Sequence, residues 1–131
     1  MLFTQKLAAE DLVWLSDRSN RVAERCYRQA GYFGWEQTKC AHAEQARQGE
    51  LVKRAYAAAL VRGGRQHRRE LSASQDIWIG TVDRKCKTDV LFGPTEIGTI
   101  ATVEGLMCLA TERRNRVVWL EQQHHIFRND D

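Results

Sequence analysis

The chain of 131 residues has one proline, no Cys-x-x-Cys pair, no long apolar run and little net charge. Each shortage excludes something. A lone proline and nine scattered glycines exclude collagen-like and low-complexity chains and favour long regular elements. The longest apolar run, Ala55 to Val61, falls far short of the ~18 residues of a membrane span. Without a Cys-x-x-Cys pair there is neither a zinc ribbon nor a thioredoxin-type motif. Cys26, Cys40, Cys86 and Cys108 therefore read as buried free thiols. Glu10 and Asp11 interrupt the stretch that a secretory signal needs apolar, so the expected location is the cytoplasm. Twenty bases against 17 acids leave a net charge of +3, which excludes a uniformly cationic nucleic-acid coat.

What is present suits one domain spanning 1–131, because domains cluster near roughly 100–150 residues. Leu12, Leu15, Val22, Cys26 and Ala30 keep one stripe of a helix over about 8–30. Gly31 and Gly34 mark its stop. A second helix runs from Trp35 or Glu36 to about Arg62, with Leu51, Val52, Ala55, Tyr56, Ala59 and Leu60 on one face. The two form an antiparallel αα-hairpin over about 8–62.

At Arg62 the texture changes. Residues 62–75 lack an apolar period and read as a connector. Asp76-Ile-Trp-Ile-Gly-Thr-Val82 is β-branched and aromatic and reads as a strand. Lys85 to Phe92 alternates in polarity and reads as a second strand. After Gly93-Pro94, Ile97, Ile100, Val103, Met107 and Ala110 mark a third helix ending near Arg113-Arg-Asn. Arg116-Val-Val-Trp-Leu-Glu121 reads as a third strand, against the competing reading of helix straight through to His125. The expected fold class is α+β: the hairpin, then a small β-sheet with a third helix over 76–127, ending β-β-α-β or β-β-α.

The most distinctive chemistry is Arg62-x-x-Arg65-x-His67-Arg68-Arg69. Its four guanidiniums beside Gly63 and Gly64 suit phosphate or carboxylate oxygens. Arg84, Lys85 and Lys87 form a second basic cluster, and Arg113, Arg114 and Arg116 a third. Convergence of the three on one face would make a surface for DNA or RNA. No recognisable nucleic-acid module accompanies them. Tyr32, Phe33 and Trp35 form an aromatic group beside Gly31 and Gly34, of the type that anchors a protein partner or plugs a helical hairpin.

Other patterns fail on chemistry. Gly93-Pro-Thr-Glu-Ile-Gly98-Thr99 resembles a phosphate loop in its setting, but it lacks the lysine, and Glu96 repels anions. It stays as a minor phosphate or nucleotide site. Glu121-x-x-His124, with His125, is half of a di-metal motif without its other half. Cys40-x-His42-x-Glu44 puts His42 on the wrong side of a helix. Asp76, Asp83 with Lys85, and Asp89 match a nuclease core only by common spacings. No serine sits in a nucleophile elbow.

The expectation is a noncatalytic binding protein with no cofactor, no metal and no membrane partner, contacting nucleic acid through the arginine segment. The alternative is a protein-interaction module: a regulator, inhibitor or assembly subunit, of the kind mobile elements also encode, binding another protein or a second copy of itself.

Overall fold

The computed structural model describes residues 21–30, 34–93 and 99–127. All its regular elements are helices: α1 (21–30), α2 (Gly34–Leu60), α3 (Arg65–Cys86), the one-turn α4 (Thr88–Leu91) and α5 (Thr99–Phe127). The expected α+β class is corrected, because no strand occurs among the described residues. The helix expected over 8–30 is present from residue 21, and its first part lies outside the described residues.

The connector and first strand are instead one helix, α3. Its inward positions are His67, Leu71, Gln75, Trp78, Val82 and Cys86, spaced at steps of four and three. That is a helical stripe, but two of its members are polar and hide the apolar period. Conversely, Ile77 and Ile79, which suggested a strand, point outward at 70% and 45% exposure. The second strand is corrected likewise: Lys85 completes the last turn of α3, and Thr88–Leu91 forms α4. Lys87 separates them with a left-handed backbone (φ 55°), its N–H donating to the Asp83 carbonyl. The third strand is also helix. Buried Leu106, Leu109, Ala110, Arg116, Val117, Leu120 and Gln123 run along one continuous α5, so the competing reading holds.

The long helices form a bundle in which α2 and α5 run parallel. Gln45 of α2 meets Arg113 of α5, Val52 packs near Val117 and Leu120, and Arg62 just beyond α2 meets Glu121. α3 is the return leg, antiparallel to α5: Gln75 lies beside Arg116, Lys85 beside Glu112, and Cys86 beside Cys108. One apolar cluster joins Val52, Ala55, Ala59, Leu71, Val117 and Leu120. A second joins Val82, Cys86 and Leu109, and Trp78 packs against both. Gly105 allows α4 to dock, since a Cβ there would run into the Leu91 side chain.

The cysteines are not free. Cys26–Cys40 fastens α1 to α2, and Cys86–Cys108 fastens the end of α3 to α5. The reading as thiols failed because a disulfide needs spatial neighbours, and the separations of 14 and 22 residues gave no motif. Cross-links closing loops of this size restrict the unfolded chain and stabilise by about 3 kcal/mol each. Replacing Cys86 and Cys108 together by serine is expected to lower the free energy of unfolding by about that amount in urea titrations. Thiol labelling of the denatured protein should find no reactive cysteine before reduction and four after it.

The turn between α2 and α3 has its own fastening. The fully buried His67 ring reaches back and donates Nε2–H to the Ala59 carbonyl at 2.5 Å, satisfying an acceptor in the last turn of α2. Gly63 is required there, because a Cβ would collide with the His67 ring. Gly64 has an extended backbone (φ −87°, ψ −160°) that suits any residue. Gly63→Ala should cost about 2 kcal/mol and several degrees of Tm, while Gly64→Ala leaves the melting curve nearly unchanged.

Candidate partner-binding surface

The turn Val61–Gly64 and the first turns of α3 form one apex of the bundle. Arg62 is the least available of its arginines, half-buried and 3.5 Å from the Glu121 carboxylate. Arg65, Arg68 and Arg69 are exposed. Arg68 donates to the Gly63 carbonyl at 3.1 Å, and among the described residues none of the three forms a salt bridge. The first turn of α3 carries no acid, and Glu70 is engaged by the Gln66 amide at 2.7 Å. Cations at this end oppose the helix dipole, so their placement does not serve the stability of α3. Val61 sits beside them at 81% exposure, the most exposed large apolar side chain among the described residues.

The other basic clusters lie elsewhere. Arg84, Lys85 and Lys87 are at the far end of α3, about 30 Å along the helix from Arg65. Lys85 there pairs with Glu112 at 2.5 Å. Arg113 turns inward and donates to the Gln45 backbone carbonyl at 2.8 Å and to the Gln45 side-chain oxygen. Gly49 leaves the space for its guanidinium, and burial lowers its pKa against the opposing pull of Asp83. Arg114 lines a cavity of about 200 Å³ with Tyr27, Glu44 and Met107.

Arg116 is in the core. Its guanidinium carbon lies 3.8 Å from the centre of the Trp119 ring and 5.4 Å from that of Trp78. Nε donates to Gln75 at 2.9 Å and a terminal nitrogen to Ser74 at 3.1 Å. Burial pushes its pKa down to about 10 despite the opposing effect of Tyr56, so it remains charged at neutral pH. The arrangement is a polar cross-brace between α3 and α5, held by aromatic faces and neutral acceptors.

Trp35 begins α2 at 68% exposure with Lys39 stacked 5.1 Å from its ring centre, while Tyr32 and Phe33 lie outside the described residues. Residues 94–98 of the Gly93–Thr99 turn and the His124 and His125 side chains also lie outside them. Glu121 is occupied by Arg62. Cys40 is in a disulfide, and Glu44 pairs with Arg47 at 2.5 Å, leaving His42 exposed against Phe92. Asp76, Asp83 and Asp89 are exposed helical residues, and no cluster suited to a metal ion occurs among the described residues.

Sequence reasoning missed Val61, whose apolar run continues past the end of α2, and the pairing of all four cysteines.

The family model described as "Lysozyme inhibitor LprI" matches residues 26–120, more than two-thirds of the chain. The chain belongs to the LprI family. The match covers both disulfides, most of the α2–α3–α5 bundle and the arginine apex. No curated protein and no solved structure matches the chain. An LprI-family chain is read most directly as a protein that binds a protein partner, which favours the interaction-module alternative over nucleic acid.

Removal of the brace should be costly, since Arg116→Ala leaves a gap between two tryptophans and strands the Gln75 amide. A loss of about 3 kcal/mol is expected in urea unfolding followed by tryptophan fluorescence, with Arg116→Lys recovering only part of it.

Proposed function

We propose that this chain is a noncatalytic inhibitor that binds lysozyme. The family match over residues 26–120 carries the reading. A bundle cross-linked at two places supports it, because a surface held rigid before binding loses less conformational freedom on association. The disulfides also favour an oxidising compartment over the cytoplasm expected from the sequence, since reducing cytosol keeps thiols unpaired. Secreted glycosidases are encountered in such a compartment.

A nucleic-acid role has less support. The three basic clusters spread from one end of the bundle to the other, and Arg113 and Arg116 are committed to internal contacts.

The oxidised protein is expected to suppress lysis of bacterial cell walls by lysozyme near stoichiometric ratio. Titration calorimetry should show saturable binding. Undiminished lysis at a several-fold molar excess, with no heat of binding, would rule the proposal out.

A further inference from the structure

Resting on that reading, we propose that the apex formed by Val61, Arg65, Arg68 and Arg69 is the surface that meets lysozyme, entering its carboxylate-bearing substrate cleft. A retaining glycosidase places two carboxyl groups about 5–5.5 Å apart across the scissile bond. Such a cleft is concave, and its nucleophile carboxylate is ionised while the other carboxyl is held protonated as the general acid. The apex is its counterpart in shape and charge: a tight turn at the end of a rigid bundle, bearing three exposed guanidiniums. Guanidinium forks match carboxylates in two-point geometry. Val61 supplies an apolar contact among them, at 81% exposure. The fastening of the turn by His67 to Ala59 holds the group in place before binding. Apart from the Arg68 bond to the Gly63 carbonyl, the fold makes little use of these arginines: they form no salt bridge among the described residues and oppose the dipole of α3. The basic group at the far end has a different setting, with Lys85 already paired to Glu112.

The test compares oxidised wild type with Arg65→Glu/Arg68→Glu/Arg69→Glu, with Val61→Asp, and with the far-end control Arg84→Glu/Lys87→Glu. Lysozyme affinity is measured by calorimetry and helicity by circular dichroism. The triple variant should retain its helicity and bind about 100-fold more weakly or worse. Val61→Asp should weaken binding about tenfold or more, and the control should bind like wild type. Raising salt should weaken the wild-type complex more steeply than Arg65→Ala/Arg68→Ala/Arg69→Ala. An N-acetylglucosamine oligomer filling the cleft should compete with the wild type.

A folded triple variant that binds as well as wild type overturns the apex while leaving the inhibitor reading intact. Failure of the oligomer to compete does the same for the cleft. Absence of any wild-type binding to lysozyme removes both proposals. Tighter binding of wild type to duplex DNA than to lysozyme at the same salt, abolished in the triple variant, reassigns the apex to nucleic acid and overturns the inference.

Discussion

The parallel packing of α2 on α5 is the constraint from which the rest of the architecture follows. Two successive helices joined by a tight turn pack antiparallel, so parallel partners require a connection that travels the whole length back. Here α3 is that connection, followed by the single turn of α4. Its length brings Cys86 beside Cys108 and Gln75 beside Arg116, and leaves the α2–α3 turn projecting at the opposite end. A deletion in α3 between Gln75 and Cys86 would move Cys86 out of reach of Cys108.

The bundle has few large apolar residues with which to hold this arrangement, and it uses polar ones inside. Arg116 lies between two indoles, His67 closes the end of α2, and the Gln48 amide donates to the Glu44 carboxylate at 3.0 Å. Each makes at least one hydrogen bond, which offsets part of the cost of burying a polar group. Such groups also select one register among helices whose small apolar residues would otherwise tolerate several. The disulfides add stability by a separate route, through the unfolded chain.

This economy separates the arginines into two kinds. Arg113 and Arg116 are structural, turned inward and bonded to amides and hydroxyls. Arg65, Arg68 and Arg69 face solvent around an exposed valine. Placement, not residue type, distinguishes them. The second kind is the one the proposed lysozyme complex would use.

Part of the helical content was legible in the residues: the stripe from Leu51 to Leu60 in α2, and a helix through Ala110 in α5, although Ile100 and Met107 of its expected stripe face outward at 77% and 48% exposure. The arginine segment was equally plain. α3 was not, because its inward positions include His67 and Gln75, and a polar residue reveals its burial only through a partner on another helix. Val117 to Leu120 read as strand for a related reason. Short β-branched and aromatic runs suit either element, and only packing against α2 and α3 decides. The sequence by itself determined the helical stripe of α2 and where local charge lies, since both depend on neighbours a few residues apart. Tertiary structure alone decided which cysteines pair, which arginines are buried and which end of the bundle is left bare. Those outcomes depend on contacts between residues 14 to 68 positions apart.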